Sequence, residues 1–150
     1  MFSNIEKIWK TSAGLEAVVL ITIVVGHRCG YVRVPKGHKY EGLDHDDLYE
    51  KVGDRICHRH GGLTYSAESK DFYSMPSIDN GTWFGFDCGF WGDASDWEAI
   101  KALCETPEER VKVKKRMGFM STMSIGEVRD LDYVVAECEL LASQLNSRKD

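Results

Sequence analysis

The run Leu15-Glu-Ala-Val-Val-Leu-Ile-Thr-Ile-Val-Val25, LEAVVLITIVV, decides the fold class. It is rich in valine and isoleucine and almost continuous in hydrophobicity, the pattern of a central β-strand covered on both faces. It falls well short of the ~20 apolar residues of a membrane helix, and Glu16 sits inside it. Nor does it carry the basic start and small-residue cleavage site of a signal peptide. A buried strand at this place makes a sheet the organising element of the chain.

Upstream, Ile5, Ile8 and Trp9 fall at spacings of three and four, and Ser3 with Glu6 forms a capping-box pattern; the spacing predicts a short helix ending near Gly14. Downstream, Gly26-His-Arg-Cys-Gly30 breaks the run and Tyr31-Val-Arg-Val-Pro35 resumes a β-like alternation, which together read as a hairpin. Asp44 to Val52 reads as a capped helix, with Asp44 accepting backbone N–H groups and Asp46 and Asp47 at its positive end. Cys57 to Tyr65 and Thr82 to Phe86 suit strands, separated by a polar loop from Ser66 to Gly81. The second half changes period. Ser95-Asp-Trp-Glu98 is a capping-box pattern ahead of AIKAL, and Thr106-Pro-Glu-Glu starts a helix with Pro107 in its first position. Leu131, Val134, Val135, Cys138, Leu141, Ala142 and Leu145 then form one helical stripe. Strands before residue 90 and helices mostly after it predict a single α+β domain over 1–150, a mostly antiparallel or mixed sheet packed by helices of the C-terminal half.

At 150 residues such a chain buries about 70% of the surface its unfolded form exposes. A net charge of -5 argues against general nucleic-acid binding, which needs a basic footprint. The short run Arg110-Val-Lys-Val-Lys-Lys-Arg116 reads as the solvated side of a helix rather than a phosphate patch. Five cysteines, an odd number without a CxxC pair, disfavour a disulfide framework and point to a reducing cytoplasm.

The chemistry-bearing residues cluster around glycines near predicted strand ends: Gly26 to Gly30, Pro35 to His38, His58 to Tyr65, and Asp87 to Asp93. Glycine lets a backbone approach a ligand closely, and it also simply makes turns. His27, His38, His58, His60, Cys29, Cys88, Asp87 and Asp93 are all metal-ligand types, yet no recognisable metal spacing is present, and neither a metal nor a cofactor is expected. Cys29 beside His27 and Arg28 invites a lowered thiol pKa, and Cys88 a pairing with His60, although lone cysteines near strands are usually buried hydrophobes. No nucleophile elbow, P-loop or dinucleotide fingerprint appears, so the reading leans away from an enzyme.

Binding chemistry fits these residues better. In Trp83-Phe-Gly-Phe-Asp-Cys-Gly-Phe-Trp-Gly-Asp93, WFGFDCGFWGD, the part to Phe86 reads as a strand with about half its rings in the core. The part from Asp87 reads as a turn walling a cleft opposite HGGLTY. Rings stack on a base, arginines such as Arg28 neutralise phosphates, and Asp87 and Asp93 accept hydrogen bonds from a ribose. The candidate ligand-binding set is His27, Arg28, Cys29, His60, Gly61, Gly62, Thr64, Tyr65, Asp87, Cys88, Trp91 and Asp93.

The blocks GHxCGYVxVPxGH, HGGLTYS, WFGFDCxxxGD and YVVAECELLASQL together resemble a family of small, uncharacterised proteins encoded by tailed bacteriophages. The resemblance covers most of residues 26 to 145. Family members often read close to FDCAHAGD where this chain has FDCGFWGD, which places Phe90 at the usual histidine position and leaves His60, Asp87, Cys88 and Asp93 matching. The resemblance implies a protein of the infected host's cytoplasm, and the absence of catalytic signatures fits sequestration of a small nucleotide-type ligand that carries a host defence signal. The alternatives are a hydrolase of such a nucleotide, using His60 with Asp87 or Asp93, and an inhibitor or scaffold acting through an exposed aromatic surface. A homodimer is the commonest closed assembly, and a second chain is one way to close such a pocket.

Overall fold

The computed structural model describes residues 3–22, 26–52, 62–72, 81–88, 92–120 and 126–147. The hydrophobic run forms β2 (Glu16–Thr22) inside a sheet that also contains β1 (Ser3–Lys10), β3 (Arg28–Val34), β4 (Tyr65–Glu68) and β5 (Thr82–Asp87). Their spatial order is β1-β2-β3-β5-β4, and every pairing in this sheet is antiparallel. Three helices follow the strands in the chain, α2 (Trp97–Leu103), α3 (Pro107–Met120) and α4 (Leu131–Ser147), while α1 (His45–Val52) lies between β3 and β4. Two short parallel strands, β6 (Gly92–Ala94) and β7 (Gly126–Val128), pair outside the main sheet. The fold is therefore α+β, with an N-terminal antiparallel sheet and mostly C-terminal helices. Among the described residues no helix is long and apolar enough to cross a membrane.

Both faces of β2 are covered, as its continuous hydrophobicity requires. Ala17 and Val19 join Val32, Val34, Phe84 and Phe86 on the face packed by α4. Val18 and Leu20 join Cys29, Tyr31, Trp83 and Phe72 on the other. Helix α4 carries its whole predicted stripe inward: Val134, Cys138, Leu141, Ala142 and Leu145 are fully buried, and Leu131 and Val135 pack against them. Gly30 lets it come close, because a Cβ there would lie 2.6 Å from both Cys138 Sγ and a Phe86 ring carbon. Glu139 on the same helix accepts hydrogen bonds from Trp9 Nε1 at 3.1 Å and from the Ser12 amide at 2.9 Å, tying the helix to the first strand and its turn.

Side chains cap the helix starts, at Asp44 and Thr106 as the sequence predicts and at Asp130 besides. The Asp47 amide donates to Asp44 Oδ1 at 2.8 Å, the Glu109 amide to Thr106 Oγ1 at 3.1 Å, and the Tyr133 amide to Asp130 Oδ1 at 2.9 Å. In α2 the cap is one residue later than the capping-box pattern suggests: Asp96, not Ser95, accepts from the Ala99 amide at 3.1 Å. The basic run of α3 lies on the solvent side, with Val113 buried and Arg110, Lys112, Lys114 and Lys115 exposed.

The first element overturns the helix expected over the opening residues. Ser3–Lys10 is an edge strand, and its register slips between Ile5, opposite Leu20, and Lys7, opposite Val19. Glu6 is thus the extra residue of a β-bulge. The bulge places Ile5 and Ile8 on one face, opposite Leu20 and Val18, although an odd separation would put them on opposite faces of a regular strand. An apolar spacing of three, which reads as a helix, is here the signature of a bulged strand. Further along, β4 covers Tyr65 to Glu68, so its Ser66–Glu68 portion belongs to the sheet rather than to the expected polar loop. The part of the predicted strand from Cys57 to Gly61 lies outside the described residues.

Candidate functional site

The candidate residues divide between the two faces of the sheet. On the face away from α4, Cys29 pairs across from Asp87, and Tyr31 and Tyr65 flank Gly85 from the neighbouring strands. Gly85 has no side chain, and the Tyr31 ring fills the space a Cβ would occupy. The Tyr31 and Tyr65 rings then meet edge-on, with centroids 5.4 Å apart and planes at 82°. Phe72, just past the 3-10 turn Ser69–Asp71, extends the cluster: its ring lies 5.0 Å from Tyr31 and stacks on Trp83 at 4.5 Å.

At the end of this cluster lie the polar groups. Asp87, half-buried, closes β5, and Thr64, exposed, immediately precedes β4. The Thr64 hydroxyl donates to Asp87 Oδ2 at 3.4 Å, while the Thr64 amide donates to the Gly85 carbonyl at 2.9 Å and extends the β4–β5 ladder by one bond. Tyr65, Thr64, Asp87 and Cys29 are therefore brought together, as the glycine-bounded pieces suggested. Gly62 serves a local purpose: its φ is +94°, the Tyr49 hydroxyl occupies the place of its missing Cβ, and the Leu63 amide donates to that hydroxyl at 3.0 Å.

Cys29 does not have the lowered pKa that its basic neighbours invited. Burial pushes the thiol up to about 11, the Asp87 charge adds to that, and a hydrogen bond with Tyr31 pulls the other way. Its neighbour in sequence, Arg28, points to the opposite face, so the two share no local field of the expected kind. Cys88 is buried in the core under α4, with its amide donating to the Arg28 carbonyl at 2.8 Å.

Arg28 requires the clearest correction. Its guanidinium is 5% exposed and engaged within the protein. Nε donates to Glu6 Oε1 at 2.6 Å and Nη2 to Glu6 Oε2 at 3.1 Å, while Nη1 donates to Asp96 Oδ2 at 2.7 Å and to the Arg129 carbonyl at 3.1 Å. Burial alone pulls the guanidinium pKa down, and the two carboxylates more than reverse this, so the pKa is raised and the charge is fixed. A fork held by two acids and a carbonyl has no free edge for a phosphate. The turn before it docks the same helix end: the Gly26 carbonyl accepts from the Asp96 amide at 2.9 Å, and His27 Nε2 lies 3.5 Å from Ser95 Oγ. His27 and Arg28 thus join the sheet to α2.

The expectation that only about half of the Trp83 to Phe86 rings pack in the core is corrected as well. Trp83, Phe84 and Phe86 are all buried, because β5 is an interior strand packed on both faces. Among the described residues no three His, Cys, Asp or Glu side chains are grouped as metal ligands would be. His60, Gly61, Trp91 and the Asp93 side chain lie outside the described residues. Reading the sequence did not find Glu6 and Asp96 as the partners of Arg28. The pairing depends on a bulge that turns Glu6 toward the covered face and on a helix cap 68 positions from Arg28.

The chain matches no protein-family model, no curated protein and no solved structure in the comparisons made.

Proposed function

We propose that the protein binds a small nucleotide-type ligand and holds it without converting it, and that it does so in a phage-infected bacterial cytoplasm, blunting a host defence signal. The resemblance of its four sequence blocks to phage proteins supports the setting. The observation that carries the binding reading is the half-buried Asp87 carboxylate at the end of β5, which accepts the Thr64 hydroxyl just ahead of Tyr65 at the start of β4. A carboxylate and a hydroxyl suit the hydroxyls of a ribose, and a half-buried tyrosine ring suits the edge or face of a base. With Arg28 engaged inside the protein, the described groups serve the ribose and base of the ligand, and this favours an ADP-ribose-type ligand over one recognised mainly through phosphates.

The experiment is calorimetric titration of the purified protein with ADP-ribose derivatives and cyclic dinucleotides, followed by heat denaturation and chromatography of what is released. Sequestration predicts recovery of unchanged ligand, and Asp87→Asn or Thr64→Val weakens binding at least tenfold, as loss of a charged or well-placed hydrogen bond does. Absence of binding to any of these nucleotides refutes the proposal. Appearance of a cleaved product refutes sequestration in favour of hydrolysis, with Asp87 then in an acid-base role.

A further inference from the structure

A concavity lies away from the Thr64 and Asp87 groups, between the α2–α3 hairpin and the start of β1. It encloses about 380 Å³, a volume within the range of small-molecule sites. Its apolar wall comes from Ile100, Leu103 and Val113. Ile100 and Val113 belong to a core cluster with Ile21 and Trp97, so that wall is rigid, whereas Leu103 remains 37% exposed. Asn4 of β1 contributes on the sheet side.

The charges of the cleft are unequal in availability. Lys112 and Arg116 stand one helical turn apart on α3 and both line it. Among the described residues Lys112 has no carboxylate or carbonyl partner, unlike Arg116. Two acids also line the cleft, and Glu109 is held in place: its Oε2 accepts the Glu105 amide at 2.8 Å while its own amide is capped by Thr106, but it keeps its negative charge. Glu105 and Glu109 together offset the charges of Lys112 and Arg116, so the cleft opposes a ligand carrying more than one negative charge. Leu103, partly exposed above the buried Ile100 and Val113, stands beside the Lys112 ammonium, and that combination suits one negative head on an apolar body.

We infer that this α2–α3 cleft binds a small amphipathic carboxylate, its head at Lys112 and its apolar body on Leu103, Ile100 and Val113. The site is independent of the Thr64 and Asp87 groups, and it uses Lys112, an exposed member of the α3 basic run that borders this concavity.

The test follows amide shifts of the isotope-labelled protein during titration with sodium octanoate, 1-octanol and phenyl phosphate in parallel. The inference predicts saturable shifts confined to α2, α3 and the start of β1, with octanoate bound at least tenfold more tightly than the uncharged alcohol. Phenyl phosphate, a dianion near neutral pH, is expected to bind more weakly than octanoate. Lys112→Glu, at an exposed position, weakens octanoate at least tenfold, and Leu103→Glu does so through the apolar wall. Equal affinity for alcohol and carboxylate, tighter binding of the phosphate, insensitivity to both variants, or no saturable shift at all each overturns the inference.

Discussion

Arg28→Met isolates the junction that ties the helical hairpin to the sheet. Methionine keeps most of the apolar stem of arginine, so the change removes the charge and its four hydrogen bonds while disturbing packing little. It leaves Glu6 and Asp96 facing one another without a cation, at side-chain exposures of 16% and 18%. Removing one member of a buried ion pair costs about 3–5 kcal/mol, and the residual solvation of both acids places this case near the lower end, about 3 kcal/mol. With a urea m-value of about 2 kcal/mol/M, within the range for domains of this size, the unfolding midpoint falls by roughly 1.5 M at constant m. The triple variant Arg28→Met, Glu6→Gln, Asp96→Asn removes the stranded charges and retains an Asn cap on α2, so it recovers to within about 1 kcal/mol of the parent. Hydrogen exchange then locates the loss: amides of α2 and α3 lose protection before those of α4, which is held to the sheet by apolar packing. A midpoint change under about 0.5 M for the single variant, or a triple variant no more stable than the single one, would refute the reasoning.

Two further perturbations test the core. Gly30→Ala directs a methyl group at Cys138 Sγ and Phe86, both buried, and costs about 1–3 kcal/mol by overpacking; a stability unchanged within 0.5 kcal/mol in urea unfolding contradicts the close approach of α4. Alkaline titration of stability reads the Cys29 environment. Because its folded pKa is raised from the ordinary 9.0 to about 11, both states stay protonated below pH 9, and above it the unfolded thiol ionises first. Stability is therefore fully present below about pH 9 and declines towards pH 11, by about 1.4 kcal/mol per unit and 2–3 kcal/mol in all. Cys29→Ala removes that component, and identical alkaline slopes for the variant and its parent count against a buried, protonated thiol.

The parts of the fold that were legible in the sequence are those where one local pattern has one structural solution. The stripe from Leu131 to Leu145 is long, regular and apolar on one side, so packing and propensity agree, and α4 forms as expected. The run from Leu15 likewise allows little besides a covered strand. Ser3 to Lys10 failed because its periodicity is produced by pairing: Glu6 is extruded as a bulge only when β2 lies alongside, and the resulting shift brings Ile5 and Ile8 to one face. A capping-box pattern and an i, i+3 spacing are local signals, and here a non-local partner overrode both. Ile5 and Ile8 also remain 37% and 56% exposed, so burial gives this strand little of the alternation by which an edge is normally recognised.

The candidate site shows the same division at finer scale. Arg28 and Cys29 are adjacent in sequence, and the proposed chemistry treated adjacency as proximity. In a strand, adjacent side chains leave on opposite faces, so Arg28 joins Glu6 and Asp96 on one side while Cys29 meets Asp87 on the other. Asp87 and Thr64 meet because their segments end and begin strands that pair directly, which makes the glycine-bounded termini neighbours by topology. Strand-end residues are the ones whose direction is least constrained by the pleat, and a strand covered on both faces has no other place at which a carboxylate stays half-buried. For β5, with all three rings of Trp83 to Phe86 sealed in the core, that place is Asp87.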